Sequence, residues 1–457
     1  MRKLLVIAVV LVLAAVGAFV AAGRAAGPTI HIATPDKFVG ASTPLEVVID
    51  APHGTLSTLQ VVLEQNGART PLFTLGDAAA TTQLTRDGQN RVTVTRDIGK
   101  GSLPNLASGA ARIVVTASRP VLFGIRQASA QATRDVQVRL ERPRVSIVST
   151  KHYINLGGSE MVVYRATPAD VASGVKVGDV EYPGYPASGV TVDGVQIADP
   201  AVHVAFFALL YDQDVNALMY VFARDEAGSA ARADFDHRTF PRFFKQSRIE
   251  VDDRFIDRVV PAILQGTTEV KPEGSTLDKF LVINGDLRRK NAARIASFAS
   301  HTSPETLWRG VVFHPFTNTK VESAFADYRT YLYKGREVDK QVHLGFDLAS
   351  FAGASIVAAN RGTVVFADDL GIYGNCIIID HGMGVQSLYA HLSVISIKPG
   401  AMVEKDQAIG RSGMTGLAAG DHLHFTMLVN GHPVNPIEWW DGHWIQDRVI
   451  RKLQEAR

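Results

Sequence analysis

Alternating strands, hairpin signals and an almost helix-free C-terminal third predict a mainly β chain. Arg91-Val92-Thr93-Val94-Thr95 and Val136-Gln137-Val138-Arg139-Leu140 carry apolar and polar residues with period two. Leu59–Gln65 runs into Asn66-Gly67, the pair that tight hairpins prefer. From Phe313 onward short apolar runs are bounded by glycines, and eight of the fourteen histidines lie there. At 457 residues the chain exceeds one ordinary domain, and its composition (46% apolar, 20% charged) is that of a folded protein. A net charge of +2 gives no electrostatic case for a nucleic-acid partner. The single cysteine, Cys376, excludes an intrachain disulfide framework and a thiolate metal cluster. Its neighbours Ile377-Ile378-Ile379 predict a buried thiol.

The chain then divides in order. Met1-Arg2-Lys3 and the apolar run Leu4 to Ala22 (residues 1–27 with the small residues after them) read as an export signal or a membrane anchor. The length of the run favours the anchor, and either reading exports the remainder to the periplasm or cell envelope. Residues 28–143 read as a β-sandwich of immunoglobulin type without its cysteine pair. Pro143 marks a boundary, and residues 144–240 form a second β-rich module with strands near Met161–Arg165 and Val202–Leu210. Either module is a candidate surface for a protein partner. Over 241–312 the apolar spacing turns helical at Phe255, Val259 and Ile263, and again at Leu277, Phe280 and Leu281, with Ser275 or Thr276 as a cap. This is a helical connector. Residues 313–445 return to β, and 446–457 form a C-terminal tail.

The chemistry concentrates in 313–445. His422 and His424 open a predicted strand, so both imidazoles share one face while Leu423 and Phe425 take the other. His343 and Asp347 are four apart, and on one extended strand they too share a face. Catalytic zinc takes three nitrogen or oxygen ligands and leaves a position for water, whose pKa it lowers to about 7. His343, Asp347 and one of His422 and His424 meet that count. Nearby histidines could move the proton. His381, His432 and His443 read as turn or surface residues.

Ordered motifs add more. His343-x-x-x-Asp347, Ile379-Asp380-His381-Gly382-Met383-Gly384, Tyr389-Ala390-His391-Leu392, Gly410-x-Ser412-Gly413-x-Thr415-Gly416, His422-x-His424-Phe425 and Asn430-Gly431-x-Pro433-Val434-Asn435-Pro436 follow one another. With this set the segment Phe325–Asp441 resembles the lysostaphin-type zinc metallopeptidases that cut peptide bonds of bacterial peptidoglycan. The resemblance implies an antiparallel β metallopeptidase fold of duplicated-hybrid-motif type and one Zn2+ held by His343, Asp347 and His424. It makes His391 and His422 the catalytic pair, and stem peptides or cross-bridges of peptidoglycan the substrate. Departures from the family pattern include Asp421 where proline is common, Thr426 where glutamate is frequent, and no clear upstream tyrosine, with Tyr328, Tyr331 and Tyr333 as candidates. Two other readings follow the same residues. One is a catalytically silent relative that binds wall and activates a wall amidase; the other is an adhesive scaffold with an accessory peptidase.

Overall fold

The computed structural model describes residues 2–51, 55–78 and 80–456. Met1 of the basic N-terminal segment lies outside them. The chain is mainly β and falls into two compact units, residues 1–143 with 224–230, and residues 144–223 with 231–457.

The first unit begins with the helix Arg2–Ala22. Among the described residues no helix is long and apolar enough to cross a membrane. A sandwich follows. Thr29–Thr34, Thr43–Asp50, Arg91–Ile98 and Leu84–Asp87 form one sheet in that order; Phe38–Val39, Arg126–Val138, Gly109–Val121, Thr58–Gln65 and Ala68–Thr74 form the other. Period-two burial along Thr43–Asp50 sends Leu45, Val47 and Ile49 inward to meet Val61, Leu63, Ile113 and Val115. Asn66 (φ 51°) and Gly67 (φ 78°) make the expected left-handed turn between Thr58–Gln65 and Ala68–Thr74.

In the second unit the region after residue 144 supplies a four-stranded sheet, Arg144–Ile147, Ser159–Thr167, Val202–Ala208 and Tyr185–Pro186. Its apolar face is continuous with the core of the histidine-rich region. The stretch read as a connector forms the helices Asp253–Gly266, Thr276–Val282 and Arg288–Ser297. Ser275 caps the second through a reciprocal pair with Asp278. The same stretch also contributes a strand, Gln246–Glu250, which pairs in parallel with Asp327–Tyr333.

The C-terminal sheet is antiparallel and runs Lys320–Ser323, Phe346–Ala349, Leu423–Val429, Val385–Leu392, Asn375–Gly382, Gly362–Asp369 and Met402–Val403, with His432–Val434 on Leu423–Val429. Leu423–Val429 and Val385–Leu392 are buried along their whole length, and Asn375–Gly382 is buried from Cys376 on. One face packs Ile377, Ile379, Phe425 and Met427 into the large core; the other packs Ile378, Leu388 and Leu428 beneath Ile295. Burial on both faces explains the unbroken isoleucine run, and Cys376 is fully buried in it. The C-terminal residues continue into helices. Lys452 and Leu453 of Arg451–Glu455 are buried, and Lys452 Nζ lies 2.7 Å from Glu160 Oε1.

Candidate active site

The Leu423–Val429 strand lies between Phe346–Ala349 and Val385–Leu392, and this register assembles the site. His424 faces Asp347 on one side and Ala390 on the other, with His391 next in its strand. Directly opposed residues bring their side chains within reach. The expected alternation holds: Leu423 and Phe425 enter the large core while His424 turns to the other face.

His343 and Asp347 do not share one extended strand. Arg336–His343 ends in a three-stranded sheet, the chain breaks at Leu344-Gly345, and Phe346–Ala349 starts in the large sheet. The break exists because the His424 ring crosses there. A Cβ on Gly345 would lie 2.5 Å from His424 Nε2 and 2.5 Å from Thr426 Oγ1. His343 and Asp347 therefore meet across a kink, with His343 Nε2 2.9 Å from Asp347 Oδ1.

Three ligand atoms converge. His343 Nε2 is 3.0 Å from His424 Nδ1, which is 3.0 Å from Asp347 Oδ1. The surroundings fix both tautomers. His343 Nδ1 is 3.1 Å from the Ala324 carbonyl, which can only accept, so the lone pair lies on Nε2. Thr426 Oγ1 donates to the Leu344 carbonyl at 2.7 Å and so accepts from His424 Nε2 at 3.1 Å, leaving the lone pair on Nδ1. Two imidazole lone pairs and a carboxylate oxygen thus face one point. Such a donor set fits a metal ion.

Charge is arranged to match. Burial would push the Asp347 carboxyl up, but the imidazoles of His343, His422 and His424 gathered around it hold it well below the usual carboxylate range. Arg329 Nη2 donates to its outer oxygen at 3.2 Å and to Ser323 Oγ at 2.7 Å. Burial lowers the His424 imidazole to about 4, keeping it neutral. His391 is also pushed well down by burial and by His422 and His424. Burial opposes charge on His422, yet the neighbouring Asp347 carboxylate raises it overall, with Nε2 3.4 Å from Asp347 Oδ1. His391 and His422 donate from Nδ1 to the carbonyls of Thr415 and Gly420, each at 2.8 Å. Their ring centroids are 4.9 Å apart.

The group lines a cleft of about 670 Å³, large enough for a peptide segment. Lys245, Ile249, Phe255 and Arg288 of the stretch upstream form part of its wall. Of the three tyrosine candidates only Tyr331 lines it, since Asp327, Arg329 and Tyr331 alternate onto that face. Tyr333 instead donates to Asp253, and Tyr328 packs near Tyr211. Asp421 accepts from Ser412 Oγ at 2.6 Å and from the Gly353 amide at 3.1 Å, so it ties two loops together beside His422.

His381 is neither a turn nor a surface residue. It is fully buried, its Nδ1 lies 2.8 Å from the Arg361 carbonyl and its Nε2 2.7 Å from Ser387 Oγ, with Phe313 covering the ring. His432 is half-buried against Tyr182, and His443 is exposed. Sequence reasoning missed Arg329, Ser323 and Tyr373, and it marked Thr426 as a departure without its bond to His424. The Tyr373 ring centroid lies 5.5 Å from that of His424.

Comparison with known proteins assigns the same region to a family. Residues 341–436 match the model of peptidase family M23. The C-terminal domain is a peptidase M23 domain. It is 38% identical over 130 residues to the DD-carboxypeptidase/endopeptidase Mpg of Neisseria meningitidis serogroup B, covering 28% of this chain and 29% of that one. It is 38% identical over 96 residues to the peptidoglycan DD-endopeptidase ShyA of Vibrio cholerae, covering 21% of this chain and 22% of the relative. The match thus spans less than a third of these relatives. Among solved structures, the catalytic domain of lysostaphin from Staphylococcus simulans is 28% identical with a TM-score of 0.24, covering 26% of this chain and 90% of that one. A zinc-containing peptidase from Vibrio cholerae is 13% identical with a TM-score of 0.26, covering 90% of this chain and 85% of that one.

Proposed function

We propose that this M23 domain is a zinc-dependent endopeptidase of exported type that hydrolyses D,D-configured peptide cross-links of peptidoglycan. The convergence of His343 Nε2, Asp347 Oδ1 and His424 Nδ1, with two further histidines beside them in one cleft, carries the reading. The names of the DD-endopeptidase relatives support the choice of bond. In this reading Leu4–Ala22 directs the chain to the envelope.

Zinc bound by the three ligands would supply Lewis acidity to a water and to the scissile carbonyl. The chain's own groups do the rest. His343 and His424 are locked in the tautomers that offer lone pairs, and Arg329 holds the outer oxygen of Asp347 so that Oδ1 stays directed inward. His391 takes a proton at Nε2, because its Nδ1 hydrogen is engaged by Thr415. His422, held alike by Gly420, gives its own Nε2 proton to the leaving amine, and the proton on His391 passes to solvent. The connector wall from Lys245 to Phe255 restricts which part of the wall polymer enters.

Purified full-length protein should release cross-link-cleaved muropeptides from isolated sacculi, read by mass spectrometry, and should contain one zinc per chain. His343→Ala protein should do neither. Wild-type protein that purifies without metal and, with zinc supplied, still matches His343→Ala in every assay would remove the enzyme reading in favour of the silent one.

A further inference from the structure

The strands Gly109–Val121 and Arg126–Val138 form the longest hairpin of the first unit. The neighbouring strand begins only at Thr58, opposite Ser118, so the last residues of the hairpin project beyond the sheet. Elsewhere the hairpin sends Ile113, Val115 and Val136 into the core. At its tip the rule inverts. Phe123 is 103% and Ile125 70% exposed.

The backbone makes this more telling. Leu122 (φ 51°) and Phe123 (φ 55°) both occupy the left-handed region, followed by Gly124 (φ 90°). Bulky residues adopt that conformation at a conformational cost, and here the turn is closed by the Gly124 and Ile125 amides, which donate to the Val121 and Leu122 carbonyls at 3.2 and 3.1 Å. An apolar pair held out on a projecting tip is suited to an apolar partner outside the protein.

Two observations identify that partner. The end of the N-terminal helix lies along the same hairpin: Arg126 Nη1 donates to the Phe19 carbonyl at 2.7 Å with its guanidinium 4.3 Å over the Phe19 ring. Arg119 Nε donates to the Ala26 carbonyl at 3.0 Å. That helix is apolar on every side, and its side chains from Val6 to Val20 are exposed, so its surface also lacks a protein cover among the described residues. The tip and the helix thus offer apolar surface at one place, with the cations Arg24, Arg119 and Arg126 around the junction. Apolar side chains ringed by arginine match the boundary between acyl chains and anionic headgroups.

We infer that the Leu122–Ile125 tip inserts into the surface of an anionic phospholipid bilayer, with Arg119 and Arg126 against the headgroups. The tip is a lipid contact in the sandwich itself, and it fixes how the first unit stands on the membrane. The inference does not depend on the peptidase reading.

Cys376 is the chain's only cysteine and is buried, so a fluorophore can be placed at one chosen position. Full-length Phe123→Cys and Ile125→Cys proteins carrying a polarity-sensitive dye are reconstituted with vesicles of phosphatidylglycerol and phosphatidylcholine. Asn66→Cys, at another hairpin tip of the same sandwich, is the control. Dyes at 123 and 125 should shift to the blue and be quenched by lipids bearing a nitroxide in the acyl chain; the dye at 66 should do neither. Charge reversal at Arg119 should reduce the shift in anionic vesicles. A dye at 123 that remains in water while the chain is vesicle-bound overturns the proposal. So does shielding that appears without lipid and grows with protein concentration, which would assign the tip to a second copy.

Discussion

Two buried clusters of ionisable groups sit in the second unit, and they differ in one respect. Around Glu160 the carboxylate oxygens and the Lys452 ammonium are each directed at partners. Glu160 accepts from Lys452 Nζ at 2.7 Å and from the amides of Met161 and Tyr153 at 2.8 and 3.0 Å, and Lys452 also donates to the Met161 carbonyl at 2.7 Å. Nearby, Glu438 accepts from Asn155 and from the Ser159 amide at 3.0 and 2.7 Å. Burial pushes both carboxyls up and the Lys452 amine down, yet donors and acceptors match. Around Asp347, by contrast, acceptors crowd acceptors. Two imidazole lone pairs and a carboxylate oxygen face one another because the outer nitrogens have been tied elsewhere. Saturation marks a group that holds shape; convergent lone pairs mark a group prepared for a cation.

The largest expected effect tests the second half of that contrast. His424→Ala should lose both bound zinc and turnover, whereas His422→Ala should retain zinc and lose turnover. Removal of a metal or of a proton-transfer group forfeits several kcal/mol of barrier lowering, roughly a thousandfold or more in rate. Zinc content by elemental analysis beside muropeptide release separates the two variants. If both lose zinc equally, the division of labour between the two histidines is wrong.

The first half is tested at Lys452. Lys452→Ala leaves Glu160 buried without its cation, which destabilises by about 3–5 kcal/mol. Exchanging both partners, Glu160→Gln with Lys452→Met, should recover most of that loss. The midpoint of urea unfolding, followed by tryptophan fluorescence, reads the difference. The tie also predicts that residues 313–445 alone fold poorly, since Trp439 and Glu438 would lose Ser159 and Asn155.

Buried neutral histidines outside the site give a pH dependence of known sign. Burial lowers His152 to about 3 and His381 to about 4 from an ordinary 6.5. The unfolded chain therefore binds more protons between these values, so stability is full above pH 6.5 and falls as pH drops towards 4. Each residue should account for roughly 3 kcal/mol over that window. The decline should flatten in His381→Gln protein; an unchanged slope would show that this imidazole is already protonated in the fold.

The contrast also explains what was legible in the sequence. Leu423-His424-Phe425 declared its alternation, and Asn66-Gly67 and Ser275 declared a turn and a cap, because such signals are local. Arg329 was not legible. Its role depends on Asp327–Tyr333 lying beside the kink at Gly345, and nothing local marks that approach. Nor was Glu160 with Lys452, a pair separated by 292 residues. His381 was misread because it has no catalytic role in the family pattern, whereas in the fold the segment around Leu307 and Phe313 closes over it. The helical spacing of 253–263 was visible, but its place in the cleft wall was not, since the parallel pairing of Gln246–Glu250 is nonlocal.

The smallest effect lies where the two clusters come closest in kind, at Thr426. This hydroxyl is saturated like a structural group, donating to Leu344 and accepting from His424, but its function is to point the other imidazole nitrogen inward. Thr426→Val keeps the shape and removes the acceptor, so the Nε2 proton loses its partner and the ring can adopt the other tautomer. Loss of such an outer partner weakens metal binding about 10–100-fold. Thr426→Ser should restore it. Zinc competition against a chromophoric chelator reads the affinity directly, without recourse to turnover. An unchanged affinity in Thr426→Val would mean that packing against Gly345, not the hydrogen bond, orients His424.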